Sequence, residues 1–172
     1  MENLNKKQKK VFVLAGPPGT GKSTWTIKQM QALIDLCISR DNIRFMLLNP
    51  NDDYFACETE VRNIFYGTIY RACRANDSIE NIYIDATHLT QKSRAATLRK
   101  ISADSYKIAV SFEAPVAVAL ERNAQRTGRA LVPESAIYSM YESFTRPKLA
   151  EGFDEIWHVD ADGNIRKEVK NE

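Results

Sequence analysis

The sequence predicts an α/β fold, a central, parallel five-stranded sheet flanked by helices, with an arginine-bearing lid. Five apolar runs read as strands: VFVLAG at 11–16, RFMLLN at 44–49, NIYIDA at 81–86, YKIAVSFEA at 106–114 and EIWHVD at 155–160. Segments with apolar residues at helical spacing lie between them, and such alternation implies parallel strands joined by helical crossovers. Behind the first run stands GPPGTGKST, Gly16 to Thr24, a glycine-rich turn opening onto a helix.

The first helical segment carries Ile27, Met30, Ile34 and Ile38 on one face, the second Val61, Ile64, Phe65, Thr68 and Ile69, and the third Ala95, Leu98 and Ile101. Pro115 and Pro133 suit first helical positions, because proline has no N–H to lose there. The last helix then presents Ile137, Met140, Tyr141 and Phe144, and Pro147 shortens or kinks it. RTGRALV, between these two helices, reads as a mobile connection. At 172 residues the chain suits one domain over residues 1–172, with the lysine-rich stretch 1–10 as a flexible basic tail.

Net charge is +2, and residues 1–10 alone carry four lysines against one glutamate. A long electrostatic track for nucleic acid is therefore not evident, although a strand end could still bind. Cys37, Cys57 and Cys73 lack C-x-x-C spacing, which argues against zinc and a disulfide framework and for a reduced, cytoplasmic setting. No apolar stretch reaches the roughly 18 residues of a membrane span, so a protein without a membrane partner is expected.

GPPGTGKS matches G-x-x-x-x-G-K-[ST] in the strand-to-helix context that gives the pattern meaning. Gly16, Gly19, Thr20 and Gly21 let the backbone curl so that successive N–H groups face an anion. Lys22 reaches the outer phosphates, the Ser23 hydroxyl suits Mg²⁺, and Thr24 either joins the nucleotide-binding set or packs. Trp25 reads as packing. Asp85 ends the third run, where it either holds a water of the Mg²⁺ shell or caps the following turn. His88 reads as a hydrogen-bonding loop residue.

A hydrolytic machine with the same loop wants a glutamate beside the strand-end aspartate to activate water. Here Ala86 follows Asp85. A phosphotransferase needs instead a base near the acceptor hydroxyl and cations over the transferring phosphate. Asp52, in LLNPNDDYF, is the candidate base, and Asp53 caps the next helix or orients its neighbour; the alternative is that both are helix-start residues. Arg122 and Arg126, four residues apart, share a helical face and, with Arg129, can close over a triphosphate unless they are simply solvated. Tyr54 and Phe55 either stack against a terminal base or join the core.

GPPGTGKST, NDDYF, IDATHLTQKSR, ERNAQRTGRALVP and MYESFTRPKLAEGFDEIW, in that order, resemble the kinase domain of the phage and animal polynucleotide 5′-hydroxyl kinases. The resemblance implies a P-loop NTPase kinase-type fold, ATP or another nucleoside triphosphate as donor, Mg²⁺, and the 5′-hydroxyl end of DNA or RNA as acceptor. It carries the general base onto Asp52 and the lid arginines onto Arg122 and Arg126. The family's substrate-binding arginine after D-D-Y is Phe55 here, and its T-N step is Thr87-His88. Two other readings stay open: a small-molecule kinase acting on a sugar, nucleoside or nucleotide sugar, and a nucleotide-binding regulatory module without transfer.

Overall fold

In the computed structural model, residues 8–75 and 77–170 are described. Strand β1 (Lys10–Ala15) is buried from Val11 to Ala15. Residues of opposite parity face opposite sides of a strand, so β1 divides the core into two layers. Val11 and Val13 pack against Val61, Phe65 and Ile69 of α3 (Glu58–Arg74), while Phe12 and Leu14 pack with Trp25 of α1 (Lys22–Gln29). Trp25 meets Tyr83, Phe112 and Trp157 edge-on, the packing role its position suggests.

The sheet runs β2-β3-β1-β4-β5-β6, with β2 (Asp35–Ser39), β3 (Asn81–Asp85), β4 (Tyr106–Glu113) and β5 (Glu155–Asp160) parallel to β1. The expected parallel five-strand core is present, and β6 (Ile165–Val169) adds an antiparallel sixth strand. Its charged residues and uniform exposure hide it from an apolar search; the Asp162-Gly163 turn before it was the available signal.

The expected strand at 44–49 is instead part of helix α2 (Arg40–Leu47), with Phe45, Met46 and Leu47 at its surface. The second strand is Asp35–Ser39, a segment read from sequence as the end of the first helix. Met30, Ile34 and Ile38 kept helical spacing by coincidence, but α1 ends at Gln29, and Leu33 takes a positive φ of 83°. Ser39 then caps α2 by accepting from the Asn42 N–H.

Helices α4 (Gln91–Leu98), α5 (Val116–Ala124) and α6 (Glu134–Ser143) match the remaining expectations, with α5 and α6 opening directly after Pro115 and Pro133. Helix α6 stops before Pro147 rather than bending at it. Of the expected basic tail, residues 1–7 lie outside the described residues, but Lys10 starts β1 and Lys9 is buried. The Lys9 Nζ donates to Asp77 Oδ1 at 2.6 Å and to the Ala72 carbonyl at 3.0 Å.

Arg94 of α4, fully buried, fixes the segment after β3. It donates from Nε and Nη2 to the two Glu151 carboxylate oxygens, each at 2.7 Å, and from Nη1 to the carbonyls of His88 and Thr145. His88, also buried, faces the Leu14 carbonyl through Nδ1 at 2.6 Å and Thr97 Oγ1 through Nε2 at 2.9 Å. Burial is the chief cause that pulls its pKa down to about 4, so the ring is neutral. His88 is thus the hydrogen-bonding residue expected, tying the end of β3 to β1. Arg94→Met leaves the Glu151 carboxylate buried without its cation, and should lower the unfolding free energy by about 3–5 kcal/mol in urea titration; a loss below about 1 kcal/mol contradicts the role assigned to this pair.

Candidate phosphoryl-transfer site

The carboxyl edge of the sheet collects the site because β1 lies between β3 and β4, the point where crossovers leave in opposite directions. The chain leaves β1 through Gly16, whose N–H donates to the Thr87 carbonyl, and curls into α1. Gly19, at φ 80°, runs so close to α5 that a Cβ there would lie 2.4 Å from the Ala119 carbonyl oxygen. Gly21, at φ 98°, is the N-cap of α1; no side chain caps the helix, and no acidic residue occupies its first turn. Its leading N–H groups are therefore left for an anion.

Thr20 is buried, with Oγ1 donating to the Pro17 carbonyl at 2.8 Å, so its side chain shapes the loop. Lys22 folds back over the loop and donates to the carbonyls of Gly16 at 2.8 Å and Pro17 at 2.7 Å. Burial is the main cause lowering its pKa from 10.5 to about 8; Asp85 and Asp41 raise it and Arg126 lowers it. Ser23 is exposed and donates to Asp85 Oδ2 at 3.2 Å, and Thr24 is exposed beside it. Burial pushes the Asp85 carboxyl up, with Lys22 and Ser23 opposing. A hydroxyl and a carboxylate at this spacing fit a hard cation that keeps waters and takes phosphate oxygens for its other positions.

Arg122 lies over the loop. Its Nη2 donates to the Ala161 carbonyl at 2.7 Å and its Nη1 reaches the Gly19 carbonyl at 3.5 Å. Arg126 is beyond the end of α5, not one turn along it, because the helix stops at Ala124. Its charge still reaches Lys22. Arg129 lies in a short 3-10 turn, Gly128–Ala130, and the root of this connection is clamped by Asn123, whose side chain bonds both the N–H and the carbonyl of Val132.

Asp52 and Asp53 do not follow a strand. Both are exposed in the turn after α2: Asp52 Oδ2 accepts from the Asn49 N–H at 2.7 Å, and Asp53 Oδ1 accepts from the Phe55 N–H at 2.8 Å. The carboxylate just past a strand is Asp41, two residues beyond the end of β2. Its charge acts on both Lys22 and Asp85, whereas Asp52 is not among the charges acting on either. Asp41 Oδ1 accepts from Arg44 at 2.7 Å and from the Tyr54 hydroxyl at 2.6 Å, while Oδ2 has no hydrogen-bond partner among the described residues. Sequence reasoning missed Asp41 because β2 was displaced by one element. The signal that could have found it was S-R-D-N, a cap residue followed by an acid in the first helical turn.

Residues 11–147 match the AAA_33 family, described as an AAA domain. The chain belongs to this family of P-loop kinase-type domains. A curated relative, "Transcription factor bHLH140" of Arabidopsis thaliana, is 26% identical over 96% of this chain, which spans only 17% of that protein's length. Among solved structures, a chain of the Pnkp1/Rnl/Hen1 RNA repair complex is similar with TM-score 0.63 and 23% identity, over 83% of this chain and 46% of that one. A gluconokinase from Sinorhizobium meliloti 1021 is similar with TM-score 0.60 and 18% identity, over 92% of this chain and 86% of that one. The two structural likenesses agree on the fold. Among the described residues, no helix is long and apolar enough to cross a membrane.

The Lys22 contacts give a pH dependence. Phosphate favours the charged ammonium and so raises its pKa on binding. Below pH 8 the lysine is already charged and nucleotide affinity is flat; above pH 8 a proton must be taken up with the nucleotide. ATP affinity, measured by calorimetry from pH 6.5 to 9.5, should therefore fall toward about tenfold per pH unit above pH 8. Constant affinity across that range contradicts this account.

Proposed function

We propose that this protein is a Mg²⁺-dependent kinase that moves the γ-phosphate of ATP, or of another nucleoside triphosphate, onto a hydroxyl, the 5′-hydroxyl end of DNA or RNA. The observation that carries the reading is the pairing, at one sheet edge, of a phosphate-binding loop with a separate carboxylate on the side away from β4. Asp41 is our choice of base in place of Asp52, supported by its position after β2 and its electrostatic reach to Lys22 and Asp85. Ala86 beside Asp85 supports transfer over hydrolysis, since no carboxylate stands there to activate water.

The loop amides and Lys22 hold the β- and γ-phosphates, once Lys22 exchanges the Gly16 and Pro17 carbonyls for phosphate oxygens. Ser23 and Asp85 would hold Mg²⁺, which supplies neutralisation of the phosphate charge. The acceptor oxygen bonds to the γ-phosphorus as its proton passes to Asp41 Oδ2. The bond from that phosphorus to the bridging oxygen breaks, and its electron pair leaves with the nucleoside diphosphate. Arg122 and Arg126 match the oxygens over which charge spreads, through their fixed forks of donors.

The likeness to an RNA repair complex favours a polynucleotide end, and the likeness to a gluconokinase, with the small net charge, favours a small-molecule acceptor as the second reading. Labelled γ-phosphate from ATP, offered to matched 5′-hydroxyl and 5′-phosphoryl oligonucleotides in DNA and RNA forms beside gluconate and nucleosides, separates them. Label should appear on the 5′-hydroxyl ends alone and vanish with Lys22→Ala. Label on a small molecule, undiminished by competing oligonucleotide, selects the second reading.

A further inference from the structure

Three aromatic rings gather beside Asp41. Phe45 follows it by one turn on the same face of α2, since residues four apart on a helix are neighbours. Tyr54 donates its hydroxyl to Asp41 Oδ1, and its ring meets Phe45 at 6.3 Å and Phe55 at 4.9 Å between centroids, both edge-on. Phe55 is 64% exposed and Phe45 39%. Core packing therefore does not explain Phe55.

The group is held from beneath. The Arg44 guanidinium lies 4.3 Å from the Tyr54 ring centre and 5.8 Å from that of Phe55, while bonding Asp41, the Tyr54 hydroxyl and Glu58 of α3. Arg44 is 4% exposed. Its contacts set the Tyr54 and Phe55 rings relative to the Asp41 carboxylate, and Phe45 packs against Tyr54. One turn beyond Glu58, on the same face of α3, Arg62 is exposed and has no carboxylate partner among the described residues.

We propose that Phe55, with Phe45 and the Arg44–Tyr54 support, is the stacking surface for the terminal base of the acceptor strand, and determines preference for a nucleotide end. The inference rests on the polynucleotide reading above. An unpaired base offers a flat π-face to an exposed ring, and its sugar carries the 5′-hydroxyl toward Asp41, one tyrosine away. Arg62, without a carboxylate partner among the described residues, supplies a cation for the phosphate that follows. A small polyhydroxy acid has no planar face to match this surface.

The test compares a 5′-hydroxyl oligonucleotide with the same strand bearing an abasic terminal sugar, using wild type, Phe55→Ala and Phe55→Trp. Stacking predicts that Phe55→Ala raises KM for the intact strand roughly 5- to 150-fold. It leaves kcat and ATP affinity unchanged, and the abasic strand responds little to it. Phe55→Trp should restore the wild-type KM. Equal KM for both strands in wild type, or no change in Phe55→Ala while transfer proceeds normally, overturns the stacking surface and leaves the kinase reading standing. Absence of transfer to any strand in wild type, with ATP still bound, removes the polynucleotide reading and this inference with it.

Discussion

The strand β1 is the constraint on which the site depends. It is buried on both faces and paired on both edges by parallel strands, so its chain can leave the sheet only at the carboxyl edge. The turn it makes there has to clear α5, and at Gly19 the clearance leaves no room for a side chain. The same turn delivers an uncapped helix start. Sheet order then decides what surrounds it: β3 brings Asp85 to one side, β2 brings Asp41 one strand farther, and α5 brings Arg122, with Arg126 just past its end, from the other flank.

The polar groups of this edge satisfy one another. Lys22 takes two loop carbonyls, Ser23 takes Asp85, and Arg122 bridges Gly19 and Ala161. On phosphate oxygens the Lys22 ammonium and the Arg122 guanidinium would exchange neutral carbonyl acceptors for charged ones, which adds ion-pair attraction. Behind this edge, Arg94 and His88 hold the β3 exit through buried hydrogen bonds.

The phosphate loop was legible in the sequence because its glycines, lysine and serine are dictated by local backbone geometry and its context by neighbouring elements. The helix starts at Pro115 and Pro133 were legible for a similar local reason. What failed was the region from 30 to 57, where the apolar code misleads. Ile34 and Ile38 kept a helical interval across a loop and a strand, while Phe45, Met46 and Leu47 formed an apolar run that faces solvent. Exposed apolar residues reverse the usual inference from hydrophobicity to burial. That displacement also kept Asp41, the base proposed here in place of Asp52, from being considered, since it placed no strand end before Asp41.

The central claim, that Asp41 takes the acceptor proton at an edge shared with the phosphate loop, is tested most directly by single-turnover transfer with saturating ATP in Asp41→Asn and Asp52→Asn. The account predicts a rate lower by about 10²- to 10⁴-fold in Asp41→Asn, with ATP affinity retained, and a rate close to wild type in Asp52→Asn. A collapse in Asp52→Asn beside normal transfer in Asp41→Asn would contradict it.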